Sequence, residues 1–175
     1  ALSKRAYDVA ERQYTQALKA NSENQEALAG LAQCYYHASD QRIETVMASL
    51  NTMNPNHPQM RLLRVERFLD LGKADEALAV LDSVTTINPN HLEALGLKAA
   101  AFFLKDDSVR VAQLCEEMFA INSLFSGAYR IPGRLASRHY RFEEGRAFQA
   151  QALEVDAEDH EARLLLAFDL LRLGK

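Results

Sequence analysis

Five short polar segments punctuate this chain at an almost constant interval, and this regularity constrains the fold more than any other feature. The tetrapeptide Asn-Pro-Asn-His occurs twice, beginning at Asn54 and at Asn88, between long segments of helix-like sequence. Steps of similar length lead back to Asn21 and forward to Asn122 and Asp156, so that the successive gaps are 33, 34, 34 and 34 residues. A fixed period of this size is typical of a stacked array of small structural repeats.

Each interval carries two apolar stripes with helical spacing. In the first complete interval, apolar residues recur every three or four positions in two runs, residues 27–35 and 43–50. Ser39 lies between the two runs, where it suits a turn. Pro55 and Pro89 disfavour a helical conformation in the residue before them and so end the second helix of their intervals. The sequence therefore predicts pairs of short antiparallel helices.

Composition and charge exclude several classes of protein. The chain has 175 residues, of which 48% are hydrophobic and 25% are charged, as in ordinary soluble globular domains. The net charge of −4 argues against a nucleic-acid-binding protein that works through a general basic surface. No apolar run approaches the roughly 20 residues that a membrane helix needs, and no secretory signal is present in this segment. We therefore expect a soluble protein that does not insert into membranes, and its compartment stays open.

The helix pairs resemble those of the tetratricopeptide repeat (TPR) family, whose first helix follows Trp-x2-Leu-Gly-x2-Tyr and whose second follows Ala-x3-Phe before a Pro. In the segment "EALAGLAQCYY" the family positions hold Leu28, Leu31, Ala32 and Tyr35, and in "GKADEALAVLDSVTTINP" they hold Gly72, Ala77, Leu81 and Pro89. The resemblance covers essentially the whole chain. It implies an all-α fold, namely a right-handed α-solenoid of antiparallel helix pairs that forms a TPR superhelix.

The same resemblance implies a single TPR array over residues 1–175. The array comprises the second helix of a truncated repeat, then four full repeats, then the first helix of a further truncated repeat. These parts occupy residues 1–20, then 21–54, 55–88, 89–122 and 123–156, then 157–175. We expect the chain to be an internal part of a longer protein. We also expect its truncated ends to expose Leu166 and Leu170 and so to allow self-association.

Three arginines recur every four residues in the segment "YRIPGRLASRHYRF" of the fourth full repeat. Arg130, Arg134 and Arg138 are therefore expected on one face of a helix. In TPR proteins the first helices line a concave groove that binds protein ligands, so the resemblance implies a binding role for this face. Because guanidinium groups hold carboxylates through paired hydrogen bonds, we expect a protein or peptide partner that is acidic. The other residues expected in the groove are Gln33, Tyr36, His37, Leu62, Glu66, Leu97 and Phe103.

A second interpretation of the three arginines is that they pair with neighbouring carboxylates such as Glu143 or stay solvated. The sequence also lacks the carboxylate clamp of chaperone-binding TPR proteins, which needs Lys, Asn and Arg side chains spread over adjacent repeats. The matching positions hold residues such as Ala29, Gln33 and Glu66. We therefore do not expect an adaptor for chaperone tails.

No motif in the sequence supports catalysis or metal binding. The segment "HEARL" begins at His160 like the zinc-protease motif His-Glu-x-x-His, but Leu164 occupies the second His position. Cys34 and Cys115 lie in apolar helical stripes and are expected to be small buried core residues. We predict that the chain is not an enzyme and binds neither a metal nor a cofactor.

A narrower resemblance concerns the C-terminal part, which is similar to the TPR region that precedes a zinc-metallopeptidase-like (gluzincin) domain in some large bacterial proteins. The similar features are Gly133, the Arg-His-Tyr-Arg-Phe run at 138–142 and the terminal Leu-x-Leu-Gly turn. Two functions are consistent with these observations. The first is a non-catalytic protein–protein interaction scaffold that binds a peptide or protein segment in its groove. The alternative is a structural spacer or assembly module that positions flanking domains, which the second resemblance implies to be peptidase-like.

Overall fold

A computed structural model describes residues 2–175, with side chains from Tyr7 onward, so that Ala1 of the predicted N-terminal helix lies outside the described residues. Within this range the chain forms ten α-helices and no strand. The helices are α1 (Leu2–Ala20), α2 (Gln25–His37), α3 (Ile43–Met53), α4 (Pro58–Asp70), α5 (Ala74–Ile87), α6 (Leu92–Leu104), α7 (Ser108–Ile121), α8 (Gly127–Arg138), α9 (Phe142–Val155) and α10 (His160–Arg172). The predicted all-α fold is confirmed. In the part of the chain described, no helix combines the length and the apolar character needed to cross a bilayer.

The chain forms two compact units, Ala1–Leu63 and Arg64–Lys175, and the boundary between them falls inside α4. In the first unit α2 packs against α1 and α3, and Leu50 is completely buried in the core that they enclose. In the second unit α6 packs against α5, α7 and α8, and α9 packs between α8 and α10. Cys115 and Met118 of α7 are buried there, as is Cys34 in the first unit, so the prediction of two core cysteines is confirmed. One array across residues 1–175 stays a prediction.

The five polar boundary residues make the same local hydrogen bond. The side-chain oxygen of each accepts the backbone N–H of the residue two positions later, over distances of 2.9–3.2 Å. The acceptor and donor residues are Asn21 and Glu23, Asn54 and Asn56, Asn88 and Asn90, Asn122 and Leu124, and Asp156 and Glu158. Asn and Asp favour this turn because their short side chains can replace a backbone acceptor. The repeat period therefore has a local physical cause in these five turns.

A left-handed backbone conformation marks the turn after the first helix of each pair. The residues with positive φ are Ser39 (52°), Gly72 (71°), Asp106 (55°), Tyr140 (61°) and Gly174 (70°). Their gaps of 33, 34, 34 and 34 residues repeat the period of the polar turns. A left-handed residue commonly ends an α-helix, because it redirects the chain while the last carbonyl groups still receive hydrogen bonds.

Tyr140 is a bulky residue in this left-handed turn, and 83% of it is exposed. Because a side chain raises the energy of this conformation by about 1 kcal/mol whereas glycine adopts it freely, we expect Tyr140→Gly to raise the free energy of unfolding by about that amount. Urea denaturation measures the change. Tyr140→Ala is the control, since it keeps the Cβ atom and should give no such gain. An equal gain in both variants would show that the strain does not lie in the backbone.

Helix α10 exposes apolar residues other than the predicted ones. Leu166 and Leu170 are half-buried, because they share a helix face with the buried residues Ala162 and Asp169. The prediction that Leu166 and Leu170 are exposed is therefore wrong. The large apolar residues of α10 that are exposed are Leu164 (61%), Phe168 (40%) and Leu171 (76%). Self-association of the chain stays a prediction.

A buried carboxyl group lies where α8, α9 and α10 meet. Asp169 of α10 is fully buried, and its Oδ2 atom lies 2.9 Å from the Ser137 hydroxyl oxygen, which also lies 3.0 Å from the Gly133 carbonyl oxygen. Burial raises the pKa of Asp169, and its Oδ1 atom has no hydrogen-bond partner. A hydroxyl has only one hydrogen to donate. The Ser137 hydroxyl can therefore donate to Asp169 or to the Gly133 carbonyl group at one time, but not to both.

Candidate binding surface

The three arginines of α8 lie on one face of that helix, as their spacing predicts. Their side chains are 21% (Arg130), 20% (Arg134) and 34% (Arg138) exposed. The helix contains Pro132, which cannot donate a hydrogen bond to the carbonyl group of Ala128 four residues earlier. The thiol of Cys115 donates to this Ala128 oxygen instead, over 3.6 Å. The α7 helix therefore supports the helix that presents the arginines.

Arg130 is held by the N-terminal end of α10. Its Nε atom donates to Oδ2 of Asp159 over 2.9 Å, and its Nη1 atom donates to Glu161. Asp159 also caps α10 by accepting the N–H of Ala162, and it accepts a hydrogen bond of 2.6 Å from the Ser126 hydroxyl. Burial tends to raise the pKa of Asp159, but these hydrogen bonds together with Arg130 outweigh it and hold the pKa below its ordinary value.

Arg134 bridges two helices that lie far apart in the sequence. Its Nη2 atom donates to Oε1 of Glu66 on α4 over 2.6 Å, and its Nη1 atom lies 3.3 Å from Oε1 of Glu161 on α10. The Glu66 side chain is only 11% exposed, whereas that of Glu161 is 46% exposed. Burial raises the pKa of Glu66, and the charges of Arg134 and Arg138 oppose this increase. The two arginines therefore offset part of the cost of burying the Glu66 carboxylate.

Arg138 and its neighbour make a second connection between α8 and α4. The Nη1 atom of Arg138 donates to Oδ1 of Asp70 over 2.9 Å. The next residue, His139, places its Nε2 atom 2.8 Å from the carbonyl oxygen of Leu69. Arg134–Glu66 and Arg138–Asp70 are both separated by 68 residues, which is two repeat periods. Equivalent positions of α4 and α8 therefore carry opposite charges.

These seven side chains form one charged network, which we call the arginine ladder. Its members are Arg130, Arg134, Arg138, Glu66, Asp70, Asp159 and Glu161. With three guanidinium groups and four carboxylates, its formal charge is 3 − 4 = −1. The cavity beside Arg134 and Arg138 has a volume of about 10 Å³, which is about the space that one water molecule occupies. This cavity is therefore too small to admit a ligand carboxylate.

The alternative prediction, that the arginines pair with acidic residues of the same chain, describes this arrangement, but the predicted partner Glu143 is wrong. Glu143 binds Arg146 over 3.0 Å and Lys175 over 2.7 Å. These two cations, Lys175 first, hold the pKa of Glu143 below its ordinary value. Arg146 can reach Glu143 because it lies three residues away on the same helix, whereas no ion pair joins Glu143 to the arginines of the ladder in the described residues.

The remaining residues of the predicted groove have different surroundings. Leu97 is 3% exposed and lines the small cavity beside Arg134, together with Glu66. Phe103 lines a different cavity, whose lining residues include no member of the ladder. In the first unit, Gln33 is exposed, Tyr36 is buried, and His37 and Leu62 are half-buried. A binding role for these residues in a groove stays a prediction, and Tyr36 and Leu97, which are buried, offer a ligand little surface.

The three histidines at the repeat boundaries each lie at or just before the start of a helix. His91 caps α6, because its Nδ1 atom accepts the N–H of Ala94 over 3.4 Å. His57 is buried in the turn before α4, with its Nε2 atom 3.4 Å from Oε1 of Glu26. His160 is the first residue of α10. In the described part of the chain, no group of three or more His, Cys, Asp or Glu side chains comes together in a way that would hold a metal ion.

A larger cavity, which the sequence reasoning missed, lies between α7 and α9. Its volume is about 520 Å³, and the ends of α6 and α8 contribute to its floor. Its residues are Phe103, Asp106, Ser108, Val111, Ala112, Cys115, Glu116, Phe119, Tyr129, Arg141, Glu144, Ala147, Phe148 and Gln151. The sequence signal was the pair of large aromatic residues Phe119 and Phe148 on second helices, which was overlooked because only first helices were considered for binding.

Comparison with known proteins gives two kinds of match. A family model described as "Anaphase-promoting complex, cyclosome, subunit 3" matches residues 3–84, a little under half of the chain. No curated protein matches. The second resemblance, to the repeat region before a zinc-metallopeptidase-like domain, is not supported by these matches and stays a prediction.

Several solved structures are similar over most of the chain. A thermophilic TPR protein of Thermus thermophilus is 22% identical, with 94% of this chain and 91% of that one covered and a TM-score of 0.66. A TPR protein of Parabacteroides merdae is 18% identical, with 94% and 65% covered and a TM-score of 0.65. The protein MamA is 17% identical, with 89% and 92% covered and a TM-score of 0.55. At these levels of identity the likeness establishes the fold, which is that of TPR proteins.

Proposed function

We propose that this chain is a non-catalytic protein-interaction scaffold that binds an acidic segment of a partner protein at the arginine ladder on α8. The observation that supports this proposal is the position of Glu161. Its carboxylate contacts both Arg130 and Arg134, and its side chain is 46% exposed. A carboxylate of a partner has the same charge and geometry and can take its place between the two guanidinium groups.

The other carboxylates beside these two arginines are less suited to such an exchange. Asp159 has an 8% exposed side chain and caps α10, and Glu66 has an 11% exposed side chain beneath Arg134. Displacing either one into water would break buried contacts, whereas Glu161 needs only to turn outward. The ladder without Glu161 has three guanidinium groups and three carboxylates, so a partner's carboxylate would restore the original charge of −1.

Replacing Glu161 by Gln is expected to strengthen the binding of an acidic peptide by about threefold. The reason is that the glutamine removes the negative charge that competes for Arg130 and Arg134 while keeping the size of the side chain. The measurement is the dissociation constant of the peptide Glu-Glu-Leu-Phe-Leu-Glu-Glu by fluorescence anisotropy, at low and at high salt concentration. Because ion pairs at an exposed site are screened, we expect weaker binding in high salt.

Glu158→Gln is the matched control, because Glu158 is also exposed near the start of α10 and the substitution changes the net charge by the same amount. A gain that is equal in both variants would reflect only the reduced net negative charge of the protein. Unchanged binding in Glu161→Gln would contradict the proposed exchange. Arg130→Gln is expected to weaken binding, since it removes one of the two donors that face the incoming carboxylate.

A structural spacer that positions flanking domains is the second candidate function. The ladder favours this role in one respect, because Arg134 links α4 to α10 through α8 within one unit. If the chain is a spacer, substitutions in the ladder would change the free energy of unfolding and leave the binding of the peptide unchanged. Joint measurement of unfolding and of peptide binding in Arg130→Gln therefore distinguishes the two functions. The peptidase-like flanking domains that the second resemblance implies are part of this second proposal only.

A further inference from the structure

The cavity between α7 and α9 has apolar walls made of two aromatic pairs. Phe103 and Phe148 meet edge to face with ring centroids 5.5 Å apart, and Phe119 and Tyr129 meet at a tilt with the same separation. The thiol of Cys115 lies in the cavity wall and donates to a backbone carbonyl group. Burial raises the pKa of this thiol to about 11, so it is a neutral and weakly polar part of the wall.

The rim of the cavity is acidic. Asp106, Glu116 and Glu144 carry three carboxylates, and Arg141 carries one guanidinium group, which gives a formal charge of 1 − 3 = −2. The guanidinium group of Arg141 is already engaged by Asp106 at 3.0 Å and by Glu144 at 2.9 Å. It also lies 4.1 Å from the centre of the Phe103 ring. The rim therefore attracts cations, and its one positive charge is held by its own neighbours.

We propose that this cavity is a second binding site, which takes a peptide segment with bulky apolar residues flanked by lysine or arginine. A volume of about 520 Å³ lies within the range in which proteins bind compact ligands, roughly 300–1,000 Å³. The aromatic walls bury the apolar side chains, and the carboxylates at the rim attract the flanking cations.

The site has no residue in common with the arginine ladder. The two sites also have opposite preferences, since the ladder is proposed to take carboxylates and the cavity is proposed to take cations. A chain with both sites would bind two chemically different segments at once. The failure of one proposal therefore leaves the other untouched.

Three peptides test the preference of the cavity. The basic apolar peptide is Lys-Lys-Leu-Phe-Leu-Lys-Lys, the acidic one is Glu-Glu-Leu-Phe-Leu-Glu-Glu, and the third, Lys-Lys-Ser-Gly-Ser-Lys-Lys, has no apolar residue. In fluorescence anisotropy with the full chain, we expect the basic apolar peptide to bind at least about tenfold more tightly than the peptide without apolar residues. Equal binding of the two basic peptides would overturn the proposal, because it would show only a general attraction to the net charge of −4.

Substitutions at exposed alanines locate the bound peptide. Ala147 of α9 and Ala112 of α7 are exposed and line the cavity, so a tryptophan at either position fills it without disturbing the core. We expect each of the single substitutions Ala147→Trp and Ala112→Trp to weaken the binding of the basic apolar peptide by at least about tenfold. Ala120→Trp is the control, because Ala120 is exposed on α7 and does not line the cavity. Undiminished binding in both cavity variants would overturn the proposal.

Charge reversal at the rim gives an independent test. Glu116 and Glu117 are adjacent, exposed residues of α7, but only Glu116 lines the cavity. We expect Glu116→Lys to weaken the binding of the basic apolar peptide by about threefold more than Glu117→Lys does, although both substitutions change the net charge equally. Equal effects of the two substitutions would contradict a role for the rim. The acidic peptide serves as the cross-control, since its binding should respond to Glu161→Gln and not to Ala147→Trp.

Discussion

Replacing Arg134 by Met is expected to lower the free energy of unfolding by about 3 kcal/mol, because it leaves a buried carboxylate without its nearest counter-charge. Glu66 is only 11% exposed and accepts a hydrogen bond of 2.6 Å from Arg134. Methionine fills much of the space of the arginine stem but cannot donate hydrogen bonds. Urea denaturation at neutral pH measures the effect.

Arg146→Met is the matched control for this substitution. Arg146 also makes an ion pair, with Glu143, but both side chains are exposed by 39% and 52%. Such pairs contribute less than about 1 kcal/mol. The double variant Arg134→Met with Glu66→Met should recover most of the loss, since it removes both charges together. Equal effects of Arg134→Met and Arg146→Met would show that burial of Glu66 has no energetic consequence.

The loss of stability in Arg134→Met is also expected to depend on pH. Burial already raises the pKa of Glu66 in the folded protein, and removal of Arg134 takes away a charge that opposes this increase. A carboxyl group with a raised pKa binds more protons in the folded state than in the unfolded state, so stability increases as the pH falls. The difference between Arg134→Met and the wild type should therefore shrink as the pH approaches the ordinary value for glutamate, about 4.3. A difference that grows in acid would contradict this explanation.

Replacing Gly133 by Ile is expected to lower the free energy of unfolding by about 3 kcal/mol through overpacking. A Cβ atom at this position would lie 2.5 Å from Nε2 of Gln149 and 2.7 Å from Cβ of Phe148, both on α9. Gln149 is completely buried, so its side chain has no open space into which it can move. The close approach of α8 and α9 around Gly133 fixes the helix that carries the arginines.

Ala120→Ile is the control, because it introduces isoleucine on an exposed helix face without overpacking. Helix propensity itself favours isoleucine over glycine, so a loss of stability in Gly133→Ile reflects packing. Ala120 is exposed on α7, where the substitution should cost only about 0.5 kcal/mol. Both variants are compared by urea denaturation under the same conditions. If Gly133→Ile is no less stable than Ala120→Ile, then α8 and α9 are not in the close contact that the Cβ distances indicate.

The polar turns show how far the repeat could be predicted from sequence. Asn54, Asn88 and their counterparts share a side chain that makes the turn, so residue type and structure have the same period. The left-handed turns have the same period but could not be found in this way. Tyr140 and Gly174 occupy equivalent conformations and have no chemistry in common. The conformation there is imposed by the helix pair and not by the residue type.

The arginine face of α8 could be predicted from sequence, whereas the partners of its arginines could not. Spacing of four residues on a helix placed Arg130 and Arg134 on one face. Glu66 lies 68 residues before Arg134, and only the packing of helices two repeats apart brings them together. The sequence reasoning considered nearby carboxylates such as Glu143, which binds other cations. The cavity between α7 and α9 was missed for a different reason, since these are second helices and only first helices were considered for binding.

The most direct test of acidic-segment binding at the ladder is to follow the Nε–Hε signals of Arg130 and Arg134 by NMR while the acidic peptide is added. We expect both signals to shift and to saturate at the same peptide concentration, because a carboxylate of the peptide takes the place of Glu161 between them. The signal of Arg146, which is paired with Glu143, should stay in place. Binding of the peptide that leaves the Arg130 and Arg134 signals unchanged would contradict the proposed site.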